Sequence, residues 1–354
     1  ALIEVSASFS GSLNEVQLEL SKIWEHVLGV DLIDIHDNYF ELGGTSLGAL
    51  RLFSLIEQRF QRKLSPTVLI SRPTISELSE LISEGAAGDQ EWSSIIPMKT
   101  SGTEKPLFCI HSGGAHVLFY QGLARHMDQS RPVYAIQPSG IDGNESYHES
   151  IPIMAAHYIN EMKKVQPEGP YHLLGTCFGN AVGLEMAHQL KKMGERLTAL
   201  YIIDSAPAYL QPPSPNGERR PVTRMLSMIK SGNWRGIVKK IKGRYIKLDK
   251  RITVDQRNEQ QIELDEMIDS LNDLYTKYSW EPIDDNIVLI RSKEFSNRRD
   301  KTFHLEQWKK LALGNLETHE IEGHHLTLFD EPEVQGLAKA LGTEMSKMES
   351  QFTN

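Results

Sequence analysis

The spacing of apolar residues divides the chain into two regions with different periodicities. In residues 1–85, apolar side chains recur every three or four positions over 12–28, 46–60 and 75–82, which is the spacing of helices that bury one face. Gly29 follows the first of these stretches, where glycine commonly ends a helix. No part of this region needs a strand. Ser65-Pro66 looks like the start of one more helix, so the pattern predicts an all-α domain of the four-helix bundle type.

The second region alternates between two kinds of pattern. Runs rich in β-branched residues predict strands at 106–111, 132–137, 171–174, 197–204, 286–291 and 317–321. Helical spacing predicts helices at 119–127, 151–165, 181–193 and 332–347. This alternation predicts a doubly wound, mainly parallel sheet. Residues 209–281 interrupt the alternation with helical segments, and we interpret them as a lid inserted into this domain.

The joint between the two regions is small and polar. Residues 83–90, Ser-Glu-Gly-Ala-Ala-Gly-Asp-Gln, have the composition of a flexible tether. We therefore predict a first domain over 1–85, a linker over 86–98 and a second domain over 99–354.

Composition narrows the classes of function. The 354 residues carry a net charge of −9, which argues against nucleic-acid binding and against attraction to an anionic membrane. The two cysteines, Cys109 and Cys177, are too few for a disulfide framework and are not spaced as zinc ligands. A reducing, cytoplasmic location is the expectation. The sequence has no motif for a metal, a nucleoside triphosphate or a dinucleotide.

The first chemical motif lies before the second predicted helix. Residues 37–47, Asp-Asn-Tyr-Phe-Glu-Leu-Gly-Gly-Thr-Ser-Leu, place Ser46 after two glycines at a helix N-terminus, where the dipole favours a phosphate. A serine in such a place is by itself more often a simple helix cap. The whole string, however, resembles the attachment motif of peptidyl and acyl carrier proteins, with Tyr39 and Thr45 as departures. The resemblance implies that Ser46 carries 4′-phosphopantetheine.

The second motif lies between a predicted strand and a predicted helix. Gly175-Thr176-Cys177-Phe178-Gly179 has the G-x-S-x-G spacing of a nucleophile elbow, with cysteine in place of serine. A lone buried cysteine is usually a core residue. The position between strand and helix favours a nucleophile instead.

A nucleophile of this kind needs a base and an orienting acid, which follow it in the order acid, then histidine. Asp204 ends the next predicted strand, although it is also in a place where turn residues are common. After the last strand come two adjacent histidines, His324 and His325, and the pattern alone leaves both open.

An oxyanion hole needs two N–H donors. Phe178, the residue after the nucleophile, is expected to supply one. The loop His111-Ser112-Gly113-Gly114-Ala115 is expected to supply the other, with Gly114 as first choice and Gly113 as second.

These features resemble the type I thioesterase domains that end nonribosomal peptide synthetase and polyketide synthase lines. The resemblance rests on P-L-F-C-I-H-S-G-G, P-V-Y-A-I-Q, the elbow, D-S-A-P and the G-x-H ending. It implies an α/β-hydrolase fold and selects His325 as the base, with His324 as a neighbour that lines the entrance. Cys177 and the loop at 112–115 depart from the pattern.

The implied function is release of an acyl or peptidyl chain by hydrolysis or cyclisation, from the Ser46 arm through Cys177. The implied partners are upstream condensation and adenylation or ketosynthase domains, together with a phosphopantetheinyl transferase. An editing hydrolase that clears misloaded arms and a non-catalytic carrier platform stay open as alternatives.

The cysteine at position 177 has three explanations at this stage. A thioester on the enzyme would preserve the activation of the acyl group for release by a weak internal nucleophile. The other two explanations are neutral variation and deliberate replacement of a serine.

Overall fold

The computed structural model describes residues 14–83, 93–141, 146–205, 207, 259–296, 301–325 and 327–352. They divide into two compact units, Ala1–Trp92 and Ser93–Asn354. Most of the predicted lid, including its helical segments before residue 259, lies outside the described residues.

Every described regular element of the first unit is a helix. The helices are α1 (Glu15–Leu28), α2 (Ser46–Phe60), α3 (Val68–Ser71) and α4 (Ile75–Ser83). At the start of α1, Asn14 and Gln17 form a capping box. Helix α1 packs against α2 and α4, and the apolar stripes predicted from the sequence meet around the fully buried Trp24.

The second unit contains a seven-stranded sheet in the order β1-β3-β2-β4-β5-β6-β7. The strands are β1 (Ile95–Lys99), β2 (Leu107–Ile110), β3 (Val133–Ile136), β4 (Tyr171–Thr176), β5 (Leu197–Ile203), β6 (Ile287–Ser292) and β7 (Leu316–Ile321). The helices are α5 (Tyr120–His126), α6 (Ile151–Val165), α7 (Phe178–Lys192), α8 (Glu259–Lys277), α9 (Lys293–Ser296), α10 (Lys301–Leu311) and α11 (Glu333–Phe352). All neighbouring strands except β1 and β3 are parallel, which confirms the predicted mainly parallel sheet.

Strand β1 corrects the predicted boundary. Residues 95–98 were assigned to the linker 86–98, but they pair antiparallel with β3, beginning with Ile95 opposite Ile136. The second unit therefore includes residues from Ser93 onward. Sequence analysis did not predict this strand because it contains Pro97, and proline lacks the N–H that a strand normally donates. Proline is tolerated at the edge of a sheet, which is where β1 lies.

The core lies on both faces of the sheet. Strands β2, β4, β5 and β6 are buried at every position, as expected when helices cover both faces. Helix α6 packs against α7, and α5 packs against α11. Cys177 and Asp204 directly follow the carboxyl ends of β4 and β5, so buried strands support both residues. Among the described helices, none combines the length and apolar character needed to cross a bilayer.

Candidate active site

The candidate nucleophile stands at a sharp turn between β4 and α7. Cys177 has φ 52° and ψ −116°, a conformation that side chains rarely adopt. The glycines on either side permit it, because a Cβ on Gly179 would lie 2.8 Å from the His111 carbonyl oxygen. A Cβ on Gly175 would lie 2.7 Å from the Gly179 carbonyl oxygen. The strand runs up to Thr176 and the helix begins at Phe178, so the turn is tighter than the sequence predicted.

The strained backbone at Cys177 is held by the residue that follows the candidate acid. The Cys177 N–H donates to Ser205 Oγ at 2.8 Å, and that hydroxyl donates to the Ile203 carbonyl at 2.7 Å. The indole N–H of Trp308, a fully buried residue of α10, donates to the Ser205 carbonyl at 2.8 Å. Strained positions persist where surrounding structure over-determines them, and Ser205 supplies that restraint.

Two opposing effects act on the Cys177 thiol. Burial raises the pKa of Cys177 above its ordinary value, while the backbone N–H groups of Phe178 and Gly113, which point at the sulfur, lower it in part. The net shift is upward, so the free thiol is protonated at neutral pH and needs a base. The two N–H groups also converge where an oxyanion would form next to the sulfur.

The structure thus brings Gly113 to the thiol, whereas the sequence analysis put Gly114 first. A Cβ on Gly113 would lie 3.7 Å from Phe178 Cβ and 4.0 Å from Cys177 Sγ. The Gly114 N–H instead donates to Ser112 Oγ at 3.4 Å, and a Cβ there would face the His116 ring. Which of these two adjacent glycines directs its N–H at the sulfur depends on the path of the loop. The sequence does not reveal that path, because both residues are glycine.

The candidate acid and base are in contact. Asp204 is 1% exposed, and its Oδ2 lies 3.1 Å from His325 Nδ1. The carboxylate also accepts from Ser292, which donates its N–H to Oδ1 and its hydroxyl to Oδ2, both at 2.8 Å. This arrangement turns Nδ1 of the imidazole toward Asp204, so Nε2 lies on the side of the ring away from the carboxylate.

The neighbouring histidines have other contacts. The Nε2 atom of His324 lies 3.0 Å from Glu294, and the side chain is 47% exposed. His111 is buried, lies 2.9 Å from both the Ser112 carbonyl and the Tyr158 hydroxyl, and stacks on Phe178 with ring centroids 5.3 Å apart. Its role in the structure is to support the loop and Phe178.

The described end of the predicted lid contacts the elbow through aromatic side chains. Tyr275 of α8 packs on Phe178 with ring centroids 5.8 Å apart and on Trp280 at 5.5 Å. Trp280 packs on Trp308 at 6.2 Å. This aromatic row links α8 to the same tryptophan that holds Ser205.

The candidate attachment site lies in the first unit. Ser46 is the first residue of α2 and is partly exposed, and the hydroxyl of Thr45 caps the helix by accepting from the Gly48 N–H at 3.1 Å. The cap therefore leaves the Ser46 hydroxyl available. Tyr39, a departure from the carrier motif, is buried and donates its hydroxyl to the Thr45 carbonyl at 3.1 Å. An accessible serine beside helix N–H groups suits a phosphodiester, so these residues fit phosphopantetheine.

No group of three or more potential metal ligands occurs among the residues that the structure describes. Neither of the two cysteines is in a disulfide.

Comparison with known families assigns a family to each of the two units. The Thioesterase domain family matches residues 105–344, and the phosphopantetheine attachment site family matches residues 19–82. The chain therefore belongs to the thioesterase domain family, and a phosphopantetheine-binding domain precedes its thioesterase domain.

Proteins to which the chain is similar include nonribosomal peptide synthetases. Malpibaldin synthetase from Mortierella alpina is 40% identical over 205 residues, 58% of this chain but 4% of the synthetase. A dimodular nonribosomal peptide synthase of Bacillus subtilis (strain 168) is 36% identical over 193 residues, 54% of this chain and 8% of the relative. A solved structure of a four-domain nonribosomal peptide synthetase, in its holo form with AMP and glycine, is similar with 25% sequence identity and a TM-score of 0.60. The match covers 97% of this chain and 27% of the synthetase chain.

The chain thus spans a small part of the length of these relatives. It is a carrier and thioesterase pair of the nonribosomal peptide synthetase type, with a covalently attached phosphopantetheine. The predicted family, α/β-hydrolase fold, class of activity and cofactor are confirmed.

Sequence analysis did not identify Ser205, Ser292 or Trp308 as parts of the site. The available signals were weak: Ser205 follows the candidate acid, and Ser292 is a polar residue that ends a buried strand. Trp308 belongs to a helix that the apolar pattern did not predict.

Proposed function

We propose that this chain releases a finished acyl or peptidyl chain from its carrier, with Cys177 as nucleophile, His325 as base, Asp204 as orienting acid and Ser46 as attachment residue. The observation that carries the proposal is the convergence on one thiol of a strained elbow and two backbone donors, in a unit that also holds a histidine in contact with a buried carboxylate. Ser46 would hold the phosphopantetheine, whose thiol would carry the acyl group as a thioester.

The first half-reaction follows from this geometry. His325 Nε2 takes the proton of the Cys177 thiol as the sulfur attacks the thioester carbonyl. The N–H groups of Phe178 and Gly113 stabilise the negative oxygen of the tetrahedral intermediate. The carbon–sulfur bond to the leaving thiol then breaks, and that thiol receives the proton from His325. The acyl group is now a thioester of Cys177.

The second half-reaction releases the chain. Water or a nucleophile within the acyl chain gives its proton to His325 and attacks the same carbonyl. The bond from the carbonyl to Sγ breaks, and the sulfur takes the proton back. Exchange of one thioester for another preserves the activation of the acyl group, which would favour closure by a weak internal nucleophile.

The surroundings of the site suit this role. Residues 209–281 would act as the lid, since α8 reaches Phe178 through Tyr275. The four helices of the first unit would act as the carrier bundle. Upstream synthetase modules would deliver the chain, and a phosphopantetheinyl transferase would modify Ser46. The matched families and relatives support these partners.

Mass spectrometry of the chain with a synthetic pantetheine thioester tests the proposal. The expected result is an acyl adduct on Cys177, followed by a released acid or ring whose intact mass distinguishes hydrolysis from cyclisation. Cys177→Ala should form no adduct, and Cys109→Ala, which alters the other cysteine, should behave as the unmodified protein. Absence of an adduct on Cys177 would favour the non-catalytic platform. Preferential release of short misloaded acyl groups would favour the editing hydrolase.

The role of cysteine needs a separate comparison. Cys177→Ser should turn over the same carrier-bound substrate with a different ratio of cyclised to hydrolysed product. Equal rates and identical products would contradict a special role for the thioester.

A further inference from the structure

The candidate acid is held mainly by a strand to which it does not belong. Asp204 follows β5, but its N–H donates to the Ile290 carbonyl of β6 at 2.8 Å. Its two carboxylate oxygens accept from Ser292, the last residue of β6. Backbone and side chain of Asp204 are therefore both fixed by the end of β6.

This restraint acts on a residue with a strained backbone conformation. The residue has φ 46°, in the left-handed region where non-glycine residues are strained. The orientation of the carboxylate is set by the side-chain torsions and not by φ, so further bonds are needed to define its plane. The bond from the Ser292 N–H to Oδ1 and the bond from its hydroxyl to Oδ2 define that plane.

Burial raises the energetic cost of losing either hydrogen bond from Ser292 to Asp204. Ser292 is 0% exposed and Asp204 is 1% exposed, so water cannot readily replace a lost donor. Oδ2 accepts from the Ser292 hydroxyl at 2.8 Å and faces His325 Nδ1 at 3.1 Å. The hydroxyl thus restricts where the oxygen that faces the imidazole can lie.

We propose that Ser292 is a positioning residue for the triad: it fixes the Asp204 carboxylate so that Oδ2 accepts from His325 Nδ1 and holds Nε2 toward Cys177. This inference deepens the proposed function and rests on it for its kinetic consequence. The geometric part, that Ser292 sets the Asp204–His325 bond, stands without turnover.

The experiment uses the full chain with three variants. Ser292→Ala removes the hydroxyl but keeps the N–H bond to Oδ1, so the strand end stays paired. Ser292→Thr keeps a hydroxyl on the same carbon. Ser94→Ala is the matched control, because Ser94 is also fully buried and bonds a histidine, His157, at 3.0 Å, at the other end of the strand order near β1.

The first measurement is the low-field proton resonance of the His325 Nδ1–H in nuclear magnetic resonance. We expect the resonance to shift or vanish in Ser292→Ala and to persist in Ser292→Thr and Ser94→Ala. A resonance unchanged in Ser292→Ala would overturn the proposal, whether or not the chain is an active thioesterase. If the loss of any buried serine hydroxyl were enough to move the resonance, Ser94→Ala would move it as well, and that result would contradict a specific role of Ser292.

The second measurement is turnover of a pantetheine thioester. Loss of a hydrogen bond to a buried carboxylate corresponds to a kcat lower by about 10- to 100-fold in Ser292→Ala, with KM changed by less than about threefold. Ser292→Thr should recover most of the rate. An equal fall in Ser94→Ala, or a change confined to KM, would contradict a positioning role. Activity that survives Cys177→Ala would defeat the proposed function while leaving the resonance test valid.

Discussion

Ser46 and Cys177 both stand where a glycine-containing turn enters a helix, yet the two turns differ in backbone conformation and in capping. Ser46 follows a relaxed cap, Thr45, with φ −102°, whereas Cys177 itself occupies the cap position with φ 52° and makes no side-chain cap bond. In the proposed function Ser46 is modified by another protein, so its accessibility is what matters. In the same proposal Cys177 is the nucleophile, so its backbone must be held and its sulfur must face fixed donors. Under that proposal, a glycine-containing turn serves attachment in one unit and catalysis in the other.

The largest expected effect separates the two residues by function. Cys177→Ala should abolish the acyl adduct and lower release of any thioester by roughly 10⁴-fold or more. Ser46→Ala should abolish attachment of the arm, and with it turnover of self-loaded substrate, but leave hydrolysis of a thioester supplied in solution. Intact mass and product release measure both outcomes. Loss of solution hydrolysis in Ser46→Ala would show that the comparison is wrong.

The next effect tests the strain at the elbow. Gly179→Ala should lower the free energy of unfolding by about 1–3 kcal/mol and reduce activity, because a Cβ would lie 2.8 Å from the His111 carbonyl oxygen. Thermal and denaturant unfolding of the full chain measure the change.

The matched control lies in helix α11. Among the residues that the structure describes, and apart from its chain neighbours and the backbone of its own helix, no atom lies within 4 Å of a Cβ built on Gly336. Gly336→Ala should therefore leave activity unchanged and stabilise the chain by up to about 1 kcal/mol through helix propensity. Equal effects of the two substitutions would remove the case for a tightly packed elbow.

A smaller effect tests the relaxed cap. Thr45→Ala should weaken the start of α2 by about 1 kcal/mol, because the Gly48 N–H loses its acceptor. Hydrogen exchange across the peptide that contains α2 should become faster. Thr45→Ser retains the oxygen and should restore protection, whereas equal exchange in both variants would argue against capping by this hydroxyl.

The smallest effect is a difference in pH dependence between the two positions. Burial raises the pKa of Cys177, so its alkylation by iodoacetamide should reach half its maximal rate at a pH above that of an ordinary thiol, about 8.5. Measurement in the His325→Ala background isolates the thiol from its base.

The comparison is completed by Ser46→Cys in a chain that also carries Cys177→Ala. A partly exposed thiol at a helix N-terminus should be alkylated with a midpoint below about 8.5. Cys109, whose pKa is raised by full burial, should stay unreactive in both chains. A reversed order of the two midpoints would contradict the contrast between presentation and burial.

Sequence analysis succeeded where the chemistry is local. The carrier motif and the elbow are contiguous strings, and their glycines and flanking apolar runs predict a helix start and a strand-to-helix turn. Strand β1 was missed because it is a short antiparallel edge with a proline, and α10 was missed because its apolar side chains are few. The choice between Gly113 and Gly114 depended on the path of a loop that residue types do not specify.

The sequence by itself determined the two domains, the all-helical and mainly parallel classes of structure, and the candidate attachment serine, nucleophilic cysteine, aspartate and histidine. These features are set by short-range patterns and by the order of residues along the chain. Only the tertiary structure decided that Ser205 holds the Cys177 N–H and that Ser292, 88 residues from Asp204, holds its carboxylate. The physical reason is that parallel strands distant in sequence end side by side, so these hydrogen bonds exist only once the sheet has formed.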